Sequence, residues 1–193
     1  MEDNKDIQSG QTGIKLPDLD EQTKERVCLA LYHDGLEVTT TFVNNIMDRF
    51  QKYFNKVFLI SEDDENLENL NHRESLTIIK TLKPIKLGGE WLLILDPGEF
   101  PSIQFLSNLS NIINKLDHEV KIVKFPLVIC EFKSGEIIDI LKPVSRLFRQ
   151  NPQLLQKSDN EEIILEDYPL IKLYVDFEQL ENDADFSTAK TSD

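Results

Sequence analysis

From residue 27 to residue 177 the chain alternates short apolar runs with segments of helical period, the pattern of an α/β fold. Residues 27–32 form an unbroken apolar run that stops at His33-Asp34-Gly35, a turn-forming tripeptide. Thr39, Thr40 and Thr41 then offer hydroxyl caps for a helix. Its apolar face, Val43, Ile46, Met47, Phe50 and Phe54, is spaced by three and four. Residues 57–60 predict a second buried strand that empties into the acidic loop Glu62-Asp63-Asp64-Glu65, and a helix is predicted over 69–82.

Residues 91–95 show no alternation, which predicts a strand buried on both faces in a mainly parallel sheet. The run ends abruptly at Asp96-Pro97-Gly98-Glu99. Pro101 and Ser102 open a helix with Ile103, Leu106, Leu109, Ile113 and Leu116 on its inner face. Residues 120–132 read as extended, with Pro126 marking an edge, bulge or break because it lacks an amide donor. Shorter strands are predicted at 136–141, 146–148 and 163–165. Ile171, Leu173, Val175 and Phe177 alternate as in a half-buried strand.

Residues 1–25 carry few apolar anchors and read as a flexible leader, as does the acidic tail 179–193, leaving 26–178 as one domain. A length of 193 residues with 40% hydrophobic side chains is enough for one substantial core. Lys and Arg total 21 against 35 Asp and Glu, a net charge of −14 that repels nucleic acid and anionic lipid. A nucleotide is compatible with that charge, because a metal or a few local cations can meet its phosphates. No run reaches the ~20 apolar residues of a membrane helix and residues 1–11 lack a secretory pattern, so a cytoplasmic location is expected. Cys28 and Cys130 fall in apolar runs and read as structural thiols.

In open α/β sheets, ligands collect outside the carboxyl ends of the strands. Three such ends here are acidic: Asp34, the 62–65 loop, and Asp96 with Glu99. Hard oxygen ligands at one sheet edge favour Mn2+ or Mg2+, and a metal-bridged diphosphate suits that edge. Asp96-Pro97-Gly98-Glu99 is equally a sound tight turn.

The segment Trp91-Leu92-Leu93-Ile94-Leu95-Asp96-Pro97-Gly98-Glu99-Phe100-Pro101-Ser102 resembles the metal-binding segment of GT-A fold glycosyltransferases, family 2 in particular. In that family a buried strand delivers an Asp-x-Asp motif. Asp96 matches its first Asp, Gly98 stands where the second is expected, and Glu99 follows. The resemblance implies Asp96 and Glu99 as metal ligands. It implies Tyr32, His33, Asp34, Asp63, Arg73 and Asp96 as nucleotide contacts, Asp63 through the base ring and Arg73 at the phosphates. Residues 146–149 followed by 161–164 resemble the family stretch ending in His-Glu-Val, which makes Glu162 the catalytic base, with Glu161 in place of the His. A slip in that acidic tract shifts the base to Asp159.

The activity so implied is transfer of a sugar from a UDP- or GDP-sugar to an acceptor hydroxyl on a protein or glycan. Gly98 and the missing His also fit a GT-A-like chain that has lost catalysis and serves as an interaction or assembly protein. A dinucleotide enzyme is not supported, since no Gly-x-Gly-x-x-Gly follows the first strand. His33, His72 and His118 lack metal-ligand spacing among themselves.

Overall fold

In the computed structural model, residues 19–61, 67–80, 88–131, 134–150 and 161–174 are described. The 62–65 loop with Asp63, the base candidate Asp159, and Val175 and Phe177 lie outside them. Leu29, Leu31, Leu59, Leu93 and Leu95 are wholly buried, each contributing about 1.5–3 kcal/mol by leaving water. They belong to β1 (Val27–His33), β2 (Val57–Ser61) and β4 (Trp91–Leu95), the unbroken apolar runs of the sequence. These strands are parallel, with Leu31 opposite both Leu59 and Leu95. With β3 (Leu76–Ile79) beside β2, they make one half of the sheet, in the order β3-β2-β1-β4.

The other half is built from β5 (Glu99–Pro101), β6 (Val120–Glu131), β7 (Ile137–Arg149) and β9 (Leu170–Tyr174). The path runs β4-β7-β6-β9-β5, while β8 (Glu161–Ile164) pairs with the start of β6. β7 is antiparallel to both β4 and β6, and β5 is antiparallel to β9. Only Pro97 and Gly98, with Asp96, separate β4 from β5 in sequence, yet β5 ends the path. The sheet therefore curls back on itself, and the turn after β4 closes the curl.

Three helices are described: α1 (Glu21–Arg26), α2 (Glu37–Phe50) and α3 (Ile103–Lys115). α2 buries Val43, Ile46, Met47 and Phe50, the face its spacing predicts. It docks on the curl through Phe42, whose ring meets Phe100 edge-on at 5.3 Å. Ser102 caps α3 by accepting from the Phe105 amide at 3.0 Å. The observed class is α/β with a mainly parallel sheet flanked by helices, as the pattern predicts.

Several elements differ from the sequence reading. Of the helix expected over 69–82, the described residues 69–80 do not form one: β-branched Thr77, Ile78 and Ile79 pair with β2 as β3, after short turns at 67–69 and 73–75. The strands predicted at 136–141 and 146–148 are one strand, β7, and Pro126 sits where the β6–β7 register shifts. Residues 19–25, read as the end of a leader, bury Leu19 and supply all but the last residue of α1 behind an Asp20 cap. The threonines expected to cap α2 lie within its first turns instead, behind Leu36. Ile103 is exposed, and Phe105 and Ile112 complete the inner face of α3.

Candidate functional site

Asp96 follows β4 directly, and its carbonyl begins a turn. The Glu99 amide donates to the Asp96 carbonyl at 3.0 Å, Pro97 presets the second position, and Gly98 takes φ +81°. Pro then Gly with positive φ is the type II pattern. A second aspartate at 98 would have to adopt a left-handed backbone, which explains the glycine at that place. The turn carries Glu99 inward, where it is wholly buried.

A buried carboxylate requires a charged partner, and here Arg146 of β7 supplies it. The Arg146 Nε donates to Glu99 Oε2 at 2.7 Å, and Nη2 donates to Oε1 at 2.9 Å, a bidentate fork. Nη2 also bonds to Asp96 Oδ2, and the Asp96 amide donates to Glu99 Oε2 at 3.1 Å. Nη1 donates to the Ser145 carbonyl at 3.2 Å. Burial works against the charged guanidinium, but Glu99, then Asp96 and the nearby Tyr32 phenol, outweigh it and hold the Arg146 pKa above the ordinary arginine value. Asp96 remains 40% exposed, and Tyr32 37% exposed, at the neighbouring end of β1.

Both oxygens of Glu99 are thus committed to a guanidinium, and the expected metal pairing of Asp96 with Glu99 does not fit this geometry. Among the described residues no group of three His, Cys, Asp or Glu side chains is placed to hold an ion. Asp96 retains an exposed carboxylate edge.

His33 turns inward. The Gly35 amide donates to His33 Nδ1 at 3.3 Å, which fixes the Nε2–H tautomer and lets Nε2 donate to Thr40 Oγ1 at 2.9 Å. Burial lowers the His33 pKa, with Asp34 opposing. Asp34 accepts from the Thr39 hydroxyl at 2.5 Å and the Leu36 amide at 3.1 Å, bonds that lower its pKa and fasten the loop before α2. Asp34 holds the loop through bonds internal to it, while His33 Nδ1 also faces the Ser61 hydroxyl of β2 at 3.5 Å.

The other expected site residues lie apart from this cluster. Arg73 is exposed and precedes β3, whose start is level with the start of β2; it belongs to the opposite end of the parallel strands from Asp96. Reading 69–82 as a helix hid that placement. Glu162 lies on β8 opposite Ile122, which pairs with Phe148, which pairs with Leu92. At about 4.8 Å per strand spacing and 3.3 Å per residue, Glu162 is three strands sideways and several residues below Asp96. It forms an ion pair with Lys124. Glu161 is placed on β8 opposite Val120.

Arg146 is the residue that sequence reasoning missed. It stood in the segment matched to the family, but nothing in the spacing links it to Glu99, because the contact runs across two strands. The available signal was an arginine directly before the apolar pair Leu147-Phe148, where burial demands an acid.

No protein-family model matches the chain, and no curated protein matches it. Among solved structures, S. aureus TarS 1-349 in complex with UDP-GlcNAc is similar with 12% identity and a TM-score of 0.49, covering 78% of this chain and 59% of that one. CMP:2-keto-3-deoxy-manno-octonic acid synthetase complexed with CTP is similar with 8% identity and a TM-score of 0.46, over 86% and 100% of the two chains. 4-Diphosphocytidyl-2C-methyl-D-erythritol synthase follows with 11% identity and a TM-score of 0.44, over 82% and 97%. This chain spans 59% of that TarS chain, well short of its full length.

Proposed function

We propose that the chain is a GT-A-type transferase that binds a nucleotide-diphosphate sugar between the carboxyl ends of β1 and β4 and moves the sugar to an acceptor hydroxyl. The observation that carries this reading is the strand order β3-β2-β1-β4. From β1 the chain goes to β2 on one side and later returns to β4 on the other, so the crevice between β1 and β4 is a topological switch point. Tyr32 and Asp96 stand at its two lips. Asp96, steadied by Arg146, offers its exposed edge to ligand hydroxyls, and Tyr32 offers an aromatic face.

UDP- and GDP-sugars are the proposed donors, and a protein or glycan hydroxyl the acceptor. Manganese or magnesium between Asp96 and Glu99 is no part of the proposal, because the guanidinium occupies Glu99. The base remains a choice among Glu162, Glu161 and Asp159, to be separated by substitution. Loss of a general base lowers turnover by about 10²–10⁴ and leaves nucleotide affinity intact.

Calorimetric titration of a panel of UDP- and GDP-sugars tests the reading. Binding that Asp96→Ala abolishes is expected, and the absence of binding by every donor overturns it. The ion pair of Glu162 with Lys124 and its distance from Asp96 favour a second reading, a binding or assembly protein without turnover. That reading predicts a stable complex with a protein partner and no donor hydrolysis or transfer.

A further inference from the structure

A divalent ion at a sheet edge of this kind needs carboxylate oxygens with free lone pairs facing a common point. Glu99 has little to spare: its side chain is 1% exposed, and two N–H groups of Arg146 and the Asp96 amide take three of the four lone-pair sites on its oxygens. Of the five N–H groups of a guanidinium, four on Arg146 have acceptors, Glu99 twice, Asp96 and the Ser145 carbonyl. The fork is therefore fixed from several directions and is not a surface side chain passing by. Arg149, on the same strand, is held as firmly but elsewhere: its guanidinium lies over the Trp91 ring at 4.3 Å, pairs with Glu90 and donates to the Val120 and Asp117 carbonyls, at the other end of β4.

The geometry points to Arg146 as the resident cation of the site, filling the place between Asp96 and Glu99 that a divalent metal would need. The native chain then takes no manganese or magnesium between those carboxylates. If the transferase reading above holds, nucleotide binding at Tyr32 and Asp96 is equally strong in chelator and in metal. The remaining Nη1–H of Arg146 has no acceptor among the described residues and is the group left to meet a ligand oxygen.

Titration of manganese into the full chain, with the free ion read by its paramagnetic resonance signal, tests this. The native chain is expected to show no saturable site at submillimolar manganese. Arg146→Ala leaves Glu99 and Asp96 facing a vacated space, and is expected to gain one site that a further Glu99→Gln removes. Arg146→Lys keeps a cation and is expected to take up no manganese, a second variant should Arg146→Ala fail to fold. Manganese uptake by the native chain that Asp96→Ala abolishes overturns the inference. So does uptake by Arg146→Lys, or a folded Arg146→Ala that takes up none. Calorimetry with UDP is run in EDTA and in manganese. Equal affinities support the inference, and binding only in manganese overturns it. If UDP fails to bind in both, GDP is titrated in the same way; failure of both nucleotides sinks the transferase reading, while the manganese titrations still decide this one.

Discussion

Arg146 and Glu99 meet fork to fork, at 2.7 and 2.9 Å, although one belongs to a long antiparallel strand and the other to a three-residue strand at the end of the sheet path. This pair ties the turn after β4 to β7. Stability and ligand binding at the site should therefore respond to different substitutions.

Glu99→Gln leaves the guanidinium one charged partner, the exposed Asp96. Removing one member of a buried ion pair costs about 3–5 kcal/mol, and the remaining contact places the expected loss toward the lower figure. Urea unfolding of the variant measures it. A loss below about 1 kcal/mol would show that the pair is not buried in the folded protein.

Asp96→Ala should behave in the opposite way. Its carboxylate is 40% exposed, and an exposed ion pair contributes about 0–1 kcal/mol, so unfolding should change little. Donor binding, by contrast, should be lost. A variant that binds UDP-sugars as the native chain does removes Asp96 from the site.

Gly98→Ala tests the turn. A Cβ there would meet the Leu173 carbonyl oxygen at 3.5 Å, ordinary contact, so the penalty comes from φ +81° alone. A left-handed backbone costs an alanine about 1–2 kcal/mol, and the midpoint of thermal unfolding should fall accordingly. Gly98→Asn should cost less, since asparagine tolerates that region better.

His33 gives a pH signature. Its folded pKa lies below the ordinary 6.5, so the unfolded chain takes up the proton first as pH falls. The stability this residue contributes is complete above 6.5 and is lost progressively below it, down to the folded pKa. Thermal unfolding between pH 8 and 5 should show this loss, and His33→Asn should flatten that limb. Asp34 acts in a lower window, since its pKa is depressed from 3.8 and its contribution fades only as pH falls through and below that value. The two limbs should therefore separate in the native chain.

The strands buried on both faces were legible because an unbroken run such as Trp91–Leu95 has few alternatives, and α3 because Ser102 and the spacing of Leu106, Leu109 and Ile113 agree. β5 was not legible. Its three residues carry no local signal, and they form a strand only because β9 lies alongside. β3 was misread because Leu76, Ile78 and Ile79 also satisfy part of a helical spacing, and pairing with β2 decided the matter. Asp96 was singled out by its position after a buried strand. The fate of Glu99 was set by Arg146, far along the chain, and no spacing rule reports such a contact.

The curled path of the sheet has a consequence for the order of assembly. β1, β2 and β4 can pair as soon as they are made, but β5 waits for β9, which waits for β6 and β7. Contacts between distant segments form slowly because loop closure precedes their reward. The limb beyond Gly98 is thus a latch set last, and the crevice mouth acquires its final shape only when the carboxy-terminal strands have docked. In pulse-labelling exchange during refolding, amides of β5 should gain protection after those of β1 and β4.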